Sequence, residues 1–169
     1  MRLYRGKIPA ITEDVFEALR DEGHIEVQPE NADEVKLDIE AVLKEYHRVD
    51  NEIADEAQEL QADSDKSFGR AKHEVADRKG IGIGDEAVGY IIDQIIEAFF
   101  HSNFVDEIFS PDHDIRKDLA PILRDHMSVQ EELEEEAREK TKHVEEGTKE
   151  WEVEYQKVME RLKRSKNLD

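Results

Sequence analysis

The sequence predicts an all-α fold: an elongated helical bundle built from two copies of a short-helix/long-helix unit, with a coiled-coil-like C-terminal helix. Three observations predict it. Residues 87–100, AVGYIIDQIIEAFF, spread Val88, Ile91, Ile92, Ile95, Ile96, Phe99 and Phe100 around more than half of a helical circumference. That is the pattern of a helix covered on several sides. Elsewhere the apolar positions form one-sided stripes at helical spacing on highly charged segments. Finally, residues 8–60 align without a gap onto 88–140 at an offset of 80, as expected of a duplicated unit. In that alignment Val15, Phe16 and Leu19 fall on Ile95, Ile96 and Phe99, and Asp38 falls on Asp118.

The first helix is marked by Ile8, Ile11, Val15, Phe16 and Leu19, with Pro9 suited to its first turn and Gly23 to its stop. Its stripe is narrower than that of 87–100, so Val15 and Leu19 are expected to be less deeply buried than Ile95 and Phe99. Residues 24–29 read as a turn. Asn31 with Glu34 forms a capping box for a helix of about eight turns, striped by Val35, Ile39, Val42, Tyr46, Val49, Ile53 and Leu60. Residues 67–79 suit a shorter helix, and the glycine-rich GIGIG a turn, with Asp85 as N-cap of the central helix. Ser110-Pro111-Asp112 starts the last long helix, which Pro121 should bend and Gly147-Thr148 can break. The chain therefore divides into a first repeat (1–65), a connecting helix and turn (66–86), and a second repeat with a C-terminal extension (87–169), all in one cooperative domain.

Composition narrows the function classes. Among 169 residues, 44 acids face 24 Lys and Arg, a formal charge of −20, and cysteine is absent. No thiolate chemistry or disulfide framework exists. Neither a signal peptide nor a membrane span is legible, so a cytoplasmic protein is expected. The charge repels phosphate backbones and anionic lipid over most of the surface, leaving nucleic acid only a local basic patch.

The segments MRLYRGKIPAI, LDIEAVLKEY, GIGIGDEA and EGTKEWEVEYQKVM resemble the bacterial domain-of-unknown-function family numbered five hundred and seven. The resemblance covers nearly the whole chain. It implies an all-helical bacterial protein and brings no activity, ligand or catalytic residue.

No enzyme motif stands out, and no cofactor is expected. Gly82-Ile83-Gly84-Asp85-Glu86-Ala87 imitates a dinucleotide fingerprint, but a helical segment precedes it, and Asp85 and Glu86 would oppose a pyrophosphate. None of the seven histidines follows a glutamate at the Glu-x-x-His spacing of helical metal sites. His126, aligned with Tyr46, reads as a packed core imidazole.

Two surfaces remain. Ala137, Thr141, Val144, Thr148, Trp151, Tyr155, Val158 and Leu162 alternate by four and three, a coiled-coil seam without a counterpart in the first repeat. Val144, Trp151, Tyr155, Val158 and Leu162 are its candidate interaction residues. The favoured partner is the first long helix of the same chain; the alternative is another protein, including a second copy in a homodimer. The second surface is a basic patch of Arg2, Arg5 and Lys7, joined in one reading by Arg161, Lys163, Arg164 and Lys166. These surfaces suggest a non-enzymatic helical interaction or structural protein, or alternatively a regulator associated with nucleic-acid or ribosomal machinery.

Overall fold

A computed structural model describes residues 1–169. Seven α-helices carry the fold: α1 (Ile8–Asp21), α2 (Ala32–Ala62), α3 (Phe68–Lys79), α4 (Ala87–His101), α5 (Asp112–Met127), α6 (Val129–Thr141) and α7 (Lys149–Ser165). The only strands, β1 (Ile25–Glu26) and β2 (Glu107–Ile108), form a two-residue antiparallel ladder pairing Ile25 with Ile108 and Glu26 with Glu107. Two flanking bonds extend it, from the Asp106 N–H to the Glu26 carbonyl and from the Phe109 N–H to the His24 carbonyl.

The main core is a ring in which α1 and α4 each pack against both α2 and α5. Their spacing puts Ile8, Ile11, Val15, Phe16 and Leu19 of α1 inside, and Val88, Ile91, Ile95, Ile96 and Phe99 of α4. The expected difference in depth is absent: Val15, Leu19 and Ile95 are fully enclosed. Phe100 departs further from expectation, at 67 % exposed. Beside Phe99 at the end of α4, it turns away from the ring, so the buried face is narrower than the apolar arc in the sequence.

Each long helical path continues beyond this core and carries a partner folded back upon it. The far half of α2 is covered by α3, where Ile53, Val75, Ala76 and Ile83 cluster. Likewise α6 is covered by α7, where Val129, Leu133, Ala137, Met159 and Leu162 meet Tyr4 and Leu168. Helix α3 is thus no mere connector, and the first half does have an arm comparable to the tail. The seam does not dock on the first long helix either. The chain turns at Gly147, whose φ of 89° suits glycine, and Thr148 caps α7 by accepting the Trp151 N–H. One half of the four-three stripe therefore closes on the other.

Helix starts differ in detail from the sequence expectation. Asn31 makes no side-chain cap, and Asp85 lies inside a single 3-10 turn, Gly84–Glu86. Short 3-10 turns lead into both α2 and α4, so the Ala32 and Ala87 amides are satisfied by the Pro29 and Gly84 carbonyls. Pro121 sits within α5 without ending it; the break falls at Ser128, whose hydroxyl donates to the Asp125 carbonyl. No helix is long and apolar enough to cross a membrane.

Candidate functional site

Three surface features follow from this architecture. The first is the groove between α2 and α4, about 460 Å³ in volume, walled by Val42, Tyr46, Val49, Ile81, Tyr90 and Ala98. Tyr46 and Tyr90 meet at 6.0 Å between ring centres, tilted by 44°. The Tyr46 hydroxyl donates to the Gly82 carbonyl, and burial pushes both phenols above their ordinary pKa. Asp38, Glu45 and Gln94 edge the groove, and Glu45 is engaged by Arg48 at 2.8 Å. The side chains that enclose it are thus apolar and its rim is polar and acidic.

A matching groove lies between α1 and α5, bordered by Asp14, Ala18, Ile122, Asp125 and His126. These positions stand 80 residues from Gln94, Ala98, Val42, Glu45 and Tyr46. Here the space is bridged by His126, whose Nε2 lies 2.7 Å from Asp14 Oδ2. His126 is therefore a half-buried partner of a surface carboxylate, not a core imidazole. Replacing Tyr46 and Gln94 by His126 and Asp14 converts an apolar groove into a polar one.

The second feature is a clasp between the chain ends. The Arg2 N–H donates to the Met127 carbonyl and the Gly6 N–H to the Leu168 carbonyl. Tyr4 inserts against α6 and α7, its hydroxyl donating to Gln130. Arg2 and Lys163 lie against the same Tyr4 ring, at 5.1 and 5.8 Å from its centre. The two basic segments that are most distant in sequence are thereby neighbours. No carboxylate comes within 4 Å of Arg2, Arg5, Lys7, Arg161, Lys163 or Arg164. Lys166 alone reaches Glu136, at 4.0 Å.

His47 of α2 senses this patch. Burial, then the charges of Arg2 and Arg5, hold its pKa below the ordinary value, with Asp50 opposing them. Its neutral form is favoured by folding, so acidification from about pH 6.5 downward should remove stability until the folded-state value is passed. An NMR titration of the His47 ring is expected to give a depressed midpoint. Arg2→Ala should raise it only partly, because burial is the larger cause.

The third feature is the seam. Trp151 and Tyr155 stack at 4.8 Å but are only half-buried, as is Val158, whereas Leu162 is buried. Val144 lies in the turn beyond α6 and, with Trp151, borders the open side of the hairpin among glutamates. Met159, outside the four-three stripe of the sequence, is buried, only 6 % exposed.

A family model described as "Protein of unknown function (DUF507)" matches residues 1–168. The chain belongs to the DUF507 family. A comparison with curated proteins finds no match.

One constellation in this DUF507 chain escaped the sequence reading. His24, the only buried histidine, places Nδ1 2.7 Å from Ser110 Oγ and Nε2 2.6 Å from Asp118 Oδ2. With its proton on Nε2, the ring donates to Asp118 and accepts from the Ser110 hydroxyl. The order of groups is that of a nucleophile relay, yet neither groove opens on it. Its evident work is to tie the loop after α1 to the start of α5. The identical Asp38 does the same for the other half, accepting from Ser102 at 2.5 Å. The signal in sequence was the pairing of Asp38 with Asp118; their partners are 64 and 94 residues away and could not be read.

Proposed function

We propose that this protein is a non-catalytic interaction protein whose α2/α4 groove takes one face of an amphipathic helix from a partner protein. The observation that carries the reading is that this groove is walled mainly by apolar side chains, while its counterpart, about 370 Å³, is lined mainly by carboxylates and crossed by the Asp14–His126 pair. The groove edge from Asp38 to Val49 spans about three helical turns, or roughly 17 Å at 1.5 Å per residue. That length accommodates apolar anchors at i, i+4 and i+7 of a docked helix. Leu37, 55 % exposed and one turn before Ala41, prolongs the apolar track. The partner helix carries basic flanks, because Asp38 and Glu45 edge the groove and the chain as a whole is acidic. The C-terminal seam is not the surface proposed: Leu162 is buried inside the α6–α7 hairpin, and what Val144 and Trp151 leave open is bordered mainly by glutamates. The same reading takes the two halves as diverged copies, one of which has an apolar groove.

A synthetic peptide with leucines at i, i+4 and i+7 and lysines elsewhere is the probe. In fluorescence anisotropy it should bind more tightly than a scrambled peptide of the same composition, and methyl resonances of Val42 and Ile81 should shift. Introducing carboxylates in the groove with Ala41→Glu and Ala98→Glu should weaken binding by roughly tenfold, about 1.4 kcal/mol. Equal affinity for the scrambled peptide would leave only general attraction to an acidic protein and end the proposal. Binding of small apolar molecules but not of the peptide would replace the helix by a small ligand.

A further inference from the structure

We propose that the clasped chain ends form a binding site for the phosphate backbone of a single-stranded nucleic acid, with Arg2, Arg5 and Lys163 as its central contacts. The α2/α4 groove plays no part in it. Positive charge is scarce on this chain, and many of its cations are engaged by carboxylates, as Arg48 is by Glu45 and Glu52, Lys72 by Asp50 and Lys140 by Glu136. At the clasp the opposite holds. Arg2 and Lys163 approach one Tyr4 ring from segments far apart in sequence, and Arg5 stands between Tyr4 and the Gly6–Leu168 hydrogen bond. None of the three has a carboxylate within 4 Å, and Lys7 and Arg164 beside them have none either.

Three acids, Glu131, Glu134 and Asp169, oppose the patch at the Tyr4 ring, and the first of them is already paired. Glu131 is held by the N-terminal ammonium at 2.8 Å, which pulls its pKa below the usual carboxylate range. Glu134 and Asp169 act on Tyr4, from α6 and from the last residue. On the side facing α2, the charges of Arg2 and Arg5 disfavour protonation of His47, with Asp50 opposing them.

The acidic remainder selects the shape of the ligand. Charges are screened over about 8 Å at physiological salt, so a narrow strand can occupy the patch without meeting the glutamate-rich arms. An anionic membrane presents a plane and would bring the acidic helices against like charge. A single strand is the polyanion that fits, and contact through phosphates makes recognition insensitive to sequence.

Labelled single-stranded RNA, and DNA of the same sequence, are titrated with the full chain. Binding is expected at about 50 mM salt, weakening with a log–log slope near −2, as for about three phosphates on a single strand. The combined Arg2→Ala, Arg5→Ala and Lys163→Ala variant should bind at least roughly tenfold more weakly, whereas Arg2→Lys with Arg5→Lys should largely preserve affinity. Lys117→Ala, removing an equally unpaired cation from α5, should change nothing, and the His47 ring signals should move when RNA is added. Circular dichroism melts check that each variant is folded. No binding at low salt, full binding by the triple alanine variant, equal loss in Lys117→Ala, or capture by phosphatidylserine vesicles in place of RNA would each overturn the proposal.

Discussion

Truncating Ile95 to alanine is expected to destabilise the protein by about 2–5 kcal/mol. Ile95 is fully buried midway along α4, in the ring where α4 packs against α2 and α5. The deleted atoms leave a cavity whose walls belong to several helices, so the site cannot easily collapse. Leu19→Ala in α1 should fall in the same range, because that side chain is equally enclosed in the same cluster. The pair tests whether α4 alone is central or whether α1 shares the role, as the structure has it. Phe100→Ala is the control, expected within about 0.5 kcal/mol since the ring is largely in water. Urea unfolding midpoints at unchanged slope measure all three. A loss below about 1 kcal/mol for Ile95→Ala would mean that α4 is peripheral.

The helical stripes were legible because burial on one face of a helix leaves a period in the sequence. Val35, Ile39 and Leu43 along α2, and Ile115, Leu119 and Leu123 along α5, are buried at that period. Where the stripe is broad, the sequence overstated it: Phe100 continues the apolar count but lies beyond the edge of the face that α4 buries, next to the enclosed Phe99. A four-three alternation also carries no information about reversal of the chain. Ala137 and Leu162 belong to one stripe, and the structure sets them in one cluster by folding the stripe in half. Gly147 and Thr148 marked the place, but only the energy of closing the hairpin selects the turn over a continuous helix.

The candidate sites were less legible, because each depends on distant pairs. The basic segments at residues 2–7 and 161–166 were visible as composition, but their meeting rests on Tyr4 and Leu168 reaching α6 and α7. The α2/α4 groove was hidden more completely. Val42, Tyr46 and Val49 share one apolar stripe in the sequence, and only Tyr46 of the three is deeply buried. A stripe position at the rim of a bundle has the same sequence signature as one at its centre. The difference between the grooves, Tyr46 against His126, is visible in the 80-residue alignment, yet Asp14 as the partner of His126 follows only from the packing of α1 on α5.

The clasp has its own decisive residue, and Gly6→Ala is expected to undo it. A Cβ on Gly6 would lie 1.7 Å from the Asn167 carbonyl oxygen and 2.7 Å from its carbon. Those are backbone atoms, so no rotamer change relieves the overlap. Asn167 itself sits at a φ of 52°, so the last turn is already held in a restricted left-handed conformation. The tail must therefore leave its seat, exposing Leu168, now 1 % accessible, at a cost of about 1.5–3 kcal/mol. Leu168→Ala should cost a similar amount by emptying the same seat. The two losses should not add in the double variant, since a tail already displaced by Gly6→Ala has no Leu168 contact left to lose. Hydrogen exchange locates the effect: amides near the end of α7 should exchange faster in either variant, while those of α4 stay protected. Additive losses would mean that Gly6 and Leu168 stabilise the arm separately. A Gly6→Ala protein of unchanged stability would mean that the ends are not clasped, and Arg2 and Lys163 would then share no surface.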